Sequence, residues 1–343
     1  MHKHFPFCTI IPPIILDRVV ERGSKEMRDA ALKALTLSAR IRGQRDIASL
    51  LPNPSIAGTK RRTIFDAKHE EDLPGNLMRG EGDKKSTDRS ANEAYDYAGA
   101  TYDFYQQAFG RNSVDDRGLR LDSTVHYGEK YDNAFWNGQQ MVYGDGDAKI
   151  FGRFTRCIDV IGHELTHGVT QYEAGLNYRG QPGALNESMS DVFGSLVKQW
   201  TLKQTAAKAD WLIGKGLFTK KVKGVALRSM KDPGTAYNDP LLGKDPQPAH
   251  MKDLYKGSSD NGGVHINSGI PNRAFYLAAI ALGGFAWEKA GKIWYTALCD
   301  RLRPTSDFKA ARQATISAAA QLFGSGGTEE KAVRDGWAQV GVV

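Results

Sequence analysis

The stretch HELTH, residues 163–167, constrains this chain more than any other. On a helix, His163 and His167 lie four residues apart and so share one face. Two imidazoles so placed can grip one zinc ion, with Glu164 one step round, near water held by the metal. The pattern alone also arises by chance on ordinary helices. A hydrolytic zinc site needs a third protein ligand and an open position. NESMSD, residues 186–191, offers that ligand on a second predicted helix. Glu187 can bind the metal, and Asp191, four residues on, can hold the far nitrogen of a ligating histidine. Two acids on a helix are often just a solvated face, but these sit in the apolar run ALNESMSDVFGSLV. A third piece is DNGGVHINSG, residues 260–269. There His265 can stabilise a developing oxyanion, with Asp260 orienting it. Taken alone it is a histidine in a Gly/Asn loop, usually exposed.

The rest of the chain supports a two-part catalytic body behind a short leading segment. Residues 17–42 read as one helix, with Met27, Ala30, Ala31, Ala34 and Leu35 at three- and four-residue steps. Residues 50–62, LLPNPSIAGTKRR, read as a linker and a cleavage zone. Residues 63–150 alternate strand-like runs with turn pairs, interrupted by the helical piece NEAYDYAGATYDFYQQAF. From about 155 the character is helical to the end. The fold class expected is α+β, a β-rich half followed by a helical half, and the family resemblance given below implies that the HExxH helix and its cleft lie between them. The expected divisions are 1–55, 56–180 and 181–343.

Composition excludes several other classes. The chain has 343 residues, 41% hydrophobic and 25% charged, an ordinary globular balance. No apolar run approaches the roughly 18 residues of a membrane span, so no membrane partner is expected. The net charge of +7 is concentrated at the front. Residues 1–60 hold ten Lys/Arg against five Asp/Glu, and the remainder holds 36 against 34. That distribution disfavours a nucleic-acid partner. Cys8, Cys157 and Cys299 are an odd number and widely spaced, which argues against a disulfide framework. The N-terminal apolar run is broken by Pro12-Pro13 and has no small-residue cleavage site after it, which argues against a standard secretory signal. The expectation is secretion by another route, or a cytoplasmic enzyme.

Three segments in order, NAFWNGQQMVYGDGD, HELTHGVTQYEAGLNYRGQPGALNESMSD and DNGGVHINSG, resemble the thermolysin-like neutral zinc metalloproteases. The resemblance runs from about residue 63 to the C-terminus. It implies a zinc endopeptidase acting on protein and peptide substrates. His163, His167 and Glu187 match the zinc ligands. Glu164 matches the general base that activates zinc-bound water, and Tyr178 and His265 the donors to the oxyanion. Asp191 and Asn186 match the groups behind the two histidines, and Asp260 the partner of His265. Asn133, Ala134 and Arg228 match groups that hold the substrate backbone. Phe151, Phe154, Val160, Ile213 and Leu227 fall where the family builds an apolar pocket for the side chain after the scissile bond. Cleavage on the N-terminal side of bulky apolar residues is therefore expected.

The family's paired calcium site is built from acids. Here Asp159 and Asp210 fall at two of its positions, while Lys198, Leu212 and Lys215 occupy three others. Lysines oppose a second dication, so the double calcium site is expected to be absent, a single Ca2+ remaining open.

The short front segment, FPFCTIIPPIIL and a helix, is similar to the protealysin type of this family. It implies a zymogen whose prosegment acts as intramolecular inhibitor and chaperone, cut within 50–56. Cys8 reads equally well as a thiolate on the fourth zinc position or as a small buried apolar residue. Two readings from other classes stay open: a catalytically dead zinc fold used as a binding or toxin-like module, and a nucleic-acid binder.

Overall fold

The computed structural model describes residues 8–48 and 59–343, with only the backbone of Cys8 and of 39–48. The predicted cleavage zone 50–56 and the Cys8 side chain lie outside the described residues.

A six-stranded sheet builds the first half of the body, in the order β1-β5-β6-β4-β2-β3. Its strands are β1 (Cys8–Thr9), β2 (Arg62–Asp66), β3 (Asn76–Arg79), β4 (Leu121–Val125), β5 (Ala134–Trp136) and β6 (Met141–Tyr143). β2, β4 and β6 run parallel to one another, and β5 is antiparallel to β6. β1 comes from the leading segment and completes the sheet edge, antiparallel to β5, with Cys8 opposite Trp136 and Thr9 opposite Phe135. A two-stranded ribbon, β7 (Leu212–Ile213) and β8 (Arg228–Ser229), lies further along the chain.

The leading helix is two helices, not the single one expected over 17–42. α1 (Pro13–Arg22) opens with Pro13 at its first position, where the missing N–H costs nothing. Gly23 and Ser24 interrupt it, and α2 (Lys25–Ala48) follows. A Cβ on Gly23 would stand 2.6 Å from Val19 O, so the sharp exit needs glycine there. Ile15, Leu16 and Val19 form the buried face of α1.

α3 (Arg89–Phe109) packs against the sheet. Its start is capped by Asp88, which accepts from Ala91 N at 2.7 Å, and its end by Gly110 at φ 73°. α4 (Ile158–Tyr172) and α5 (Gly180–Thr201) are buried along nearly their whole length. Their crossing is set by two glycines. A Cβ on Gly194 would lie 2.4 Å from Asp159 O, and one on Gly162 3.1 Å from Gly194 Cα. Only glycine allows this approach, which brings the polar faces of the two helices together. The helical half continues through α6 (Ser259–Asn267), α7 (Gly269–Leu282), α8 (Ala290–Thr296), α9 (Phe308–Phe323) and α10 (Thr328–Gln339). One continuous apolar core joins both halves and takes in Ile10, Ile11 and Ile15 of the leading segment. The architecture is the expected α+β arrangement.

Candidate metal centre and its cleft

Helical spacing places His163 and His167 on one side of α4, and Glu187 faces them from α5. His163 Nε2 and His167 Nε2 stand 2.9 Å apart. Glu187 Oε2 lies 3.4 Å from the first, and Glu187 Oε1 3.4 Å from the second. All three side chains are fully buried.

The partners behind them fix the tautomers. His163 Nδ1 is 2.8 Å from Asp191 Oδ1, and His167 Nδ1 is 2.8 Å from Asn186 Oδ1. Carboxylate and amide oxygens only accept, so each Nδ1 carries a proton, and in the neutral ring each Nε2 then presents its lone pair. Two lone pairs and a carboxylate converging in a buried space repel one another unless a cation joins them. Glu187 Oε2 is buried with no hydrogen-bond partner among the described residues. Two neutral imidazoles and one carboxylate within 4.8 Å of one another fit a zinc ion in its three-ligand form.

Asp191 is tied down by more than the histidine. It accepts from Arg228 Nε and Nη2, each at 2.8 Å, and from Asn272 Nδ2 at 2.8 Å. Burial opposes its ionisation, but Arg228 and the His163 N–H hold the carboxyl down at about 2. Asn272 and Ser190, whose Oγ lies 3.0 Å from His167 Nδ1, have no sequence signature marking them.

Glu164 points to the sheet side. Its Oε2 accepts from Trp136 N at 3.1 Å, and its Oε1 has no partner among the described residues. Burial pushes its carboxyl up to about 8, against the pull of His163. The far wall holds Tyr178 and His265. Tyr178 OH donates to Glu187 Oε1 and lies 3.1 Å from His265 Nε2. Asp260 Oδ1 sits 2.6 Å from His265 Nδ1. His265 is not in an open loop. Asp260, Asn261, Gly262 and Gly263 form a left-handed turn, with φ between 51° and 82°, that delivers it to the first turn of a buried helix.

The leading segment crosses this cleft as an extended strand. Ile10 N donates to Ala134 O at 3.2 Å, and Ile11 N to Asn133 Oδ1 at 3.1 Å. Arg228 Nη1 donates to Ile10 O at 3.1 Å. Thr9 O is 3.0 Å from His265 Nε2. Asn133, Ala134, Arg228 and His265 therefore all hold the backbone of Thr9–Ile11. Sequence reasoning pointed to Cys8 and passed over these three residues. Strand addition is a main-chain event and leaves little mark on side-chain choice.

The five apolar residues expected near the cleft, Phe151, Phe154, Val160, Ile213 and Leu227, are all buried in the common core. Ile213 and Leu227 are joined through Leu227 N to Ile213 O at 2.9 Å. The Phe151 and Phe154 rings pack at a tilt, with centroids 5.9 Å apart. Among these five, Leu227 lines the small cavity shared with Pro12, Ile14, Arg228 and His265. At the other acidic cluster, Lys198 Nζ donates to Asp159 Oδ2 at 2.9 Å, Asp210 Oδ1 at 3.0 Å and Leu212 O at 2.5 Å. Lys215 Nζ reaches Asp210 Oδ2 at 3.3 Å.

This fold, with a histidine pair and a glutamate between its halves, defines a metallopeptidase. Residues 54–171 match the thermolysin metallopeptidase catalytic domain, and 174–342 its alpha-helical domain. The chain belongs to this family of zinc-dependent peptidases. It is 53% identical to the extracellular metalloprotease of Pectobacterium carotovorum subsp. carotovorum, over 99% of this chain and 98% of that one. It is 45% identical to thermolysin of Alicyclobacillus acidocaldarius, over 81% of this chain and half the length of that protein. The solved structure of the precursor of protealysin from Serratia proteamaculans superposes with a TM-score of 0.91 at 56% identity. It covers 98% of this chain and all of that one. The likeness thus includes the leading segment as well as the catalytic body. Among the described residues, no helix is long and apolar enough to cross a membrane.

Proposed function

We propose that the chain is the zymogen of a neutral endopeptidase whose leading segment fills the substrate cleft. His163, His167 and Glu187 hold the zinc ion, which when bound supplies Lewis-acid chemistry toward water and a peptide carbonyl. Glu164 takes a proton from the attacking water and passes it to the leaving amine. Tyr178 and His265 donate to the oxyanion, and Asp260 keeps the His265 ring aimed. Asn133, Ala134 and Arg228 bind the substrate backbone as an added strand on β5. Leu227, which lines the cavity beside Arg228 and His265, supports cleavage before bulky apolar residues.

The observation that carries this reading is the seat of Thr9–Ile11. A peptide strand already lies on the four groups that a substrate would need. In this reading residues 1–55 are the prosegment, 56–180 the β-rich catalytic half and 181–343 the helical half. Lys198 takes the place of the paired calcium ions, which the triple contact of its ammonium supports. Secretion is supported by the name of the Pectobacterium relative. The test is Glu164→Gln in the chain freed of residues 1–55. It should keep its zinc and lose turnover of a peptide carrying Leu after the cut site. Turnover within tenfold of the parent would refute the role given to Glu164.

A further inference from the structure

Apart from the residues of the catalytic centre, His69, His126 and Asp145 bring two imidazoles and a carboxylate together within 4.8 Å. They come from three loops: the one after β2, the one after β4 and the one after β6. His126 Nδ1 is 2.7 Å from Asp145 Oδ2, and His69 Nδ1 is 3.7 Å from the same oxygen. The rings stand 5.6 Å apart. Behind them, Asp88 Oδ2 lies 3.2 Å from His126 Nε2. This is the arrangement of a ligating histidine whose far nitrogen is held by a carboxylate.

The backbone is bent to make the cluster. Lys68, His69 and His126 all have positive φ, at 52°, 66° and 55°, and none is glycine. Such conformations are strained for residues other than glycine and persist where the surroundings impose them. His69 N donates to His126 O at 2.8 Å, locking the two loops face to face. His69 remains 57% exposed, so an ion can enter from solvent. The side chains of His126 and Asp145 are 17% and 28% exposed, so they form the fixed floor.

We propose that His69, His126 and Asp145 form a second, surface site for a divalent transition-metal ion, with Asp88 orienting His126. Two imidazoles and one carboxylate suit Zn2+ better than Ca2+ or Mg2+, which prefer all-oxygen sets. The ion replaces the proton that His126 and Asp145 share. It ties together three loops, one of which, after β6, also anchors the turn before β5 through Gly144 N to Asn133 O at 3.0 Å.

The test uses the full chain carrying Glu164→Gln, so that it stays uncut and the cleft stays covered. It is dialysed against rising Zn2+, and bound zinc per chain is read by elemental analysis. The expected result is two ions per chain in this parent and one in His69→Ala or in Asp145→Asn. Asp88→Asn keeps the cap on α3, since asparagine caps as well as aspartate, but should weaken the second site roughly 10–100-fold. A parent that saturates at one ion overturns the proposal, as does a second ion retained in His69→Ala.

Discussion

The Thr9 carbonyl oxygen lies 3.0 Å from His265 Nε2, so the ring proposed to stabilise a reacting carbonyl is engaged by the chain's own front segment. Ile10 and Ile11 are held by Ala134, Asn133 and Arg228, and the proposed latency rests on this covering of the cleft. Ile10 and Ile11 are both fully buried. Ile11→Asp places a charge in that apolar seat, which costs several kcal/mol. The full chain carrying Glu164→Gln should not bind a fluorescent peptide with Leu after its cut site. Adding Ile11→Asp should restore binding, read by anisotropy. Equal binding with and without Ile11→Asp would count against occlusion.

Asp260 Oδ1 lies 2.6 Å from His265 Nδ1 and, among the described residues, makes no hydrogen bond to Thr9–Ile11. Asp260→Asn should act through the ring it orients. A fall in kcat of about 10- to 100-fold with KM within threefold is expected, smaller than for His265→Ala, which loses the donor itself, at about 10²–10³. Steady-state kinetics on the processed chain decide it. A rise in KM alone would make Asp260 a binding-site support instead.

Lys198 sits between Asp159 and Asp210. Burial works against these charges, but the two carboxylates win and hold the ammonium above its ordinary range. Lys198 in turn outweighs burial and holds Asp210 below its own. Removing the ammonium strands two acids, so Lys198→Ala should cost about 3–5 kcal/mol in urea unfolding. Chelating calcium should leave the melting temperature of the parent unchanged. A calcium-dependent melting temperature in the parent that Asp159→Asn abolishes would contradict the replacement.

The same triad sets a pH window. Asp210 titrates lower folded than unfolded, so its stability contribution is present above about pH 3.9 and lost as pH falls through the folded value. Lys198 titrates higher folded, so its contribution is present below about pH 10.4 and lost as pH rises through the folded value. Lys198→Ala should therefore flatten both flanks of the stability profile. A variant whose profile parallels the parent's would show that the pairing contributes nothing.

The parts legible in the sequence were those written in side chains at helical spacing. HELTH and NESMSD announce two helix faces, and the structure sets them opposite each other across Gly162 and Gly194. The α+β division followed from the change of period near residue 155. The parts not legible are written in the backbone. Ile10 N, Trp136 N and Thr9 O act through main-chain atoms that every residue possesses. Asn272 reaches Asp191 from 81 residues away, with no local pattern to mark it. The break at Gly23–Ser24 was hidden because apolar spacing continues across it.

The most direct measurement is peptidase activity on a quenched peptide with Leu or Phe after the cut site. The full chain is compared with one beginning near Ile56, each with and without a zinc chelator. Turnover confined to the shorter chain and abolished by chelation is the expected result. A zinc-loaded short chain that cleaves nothing, or one indifferent to chelation, would contradict the central claim.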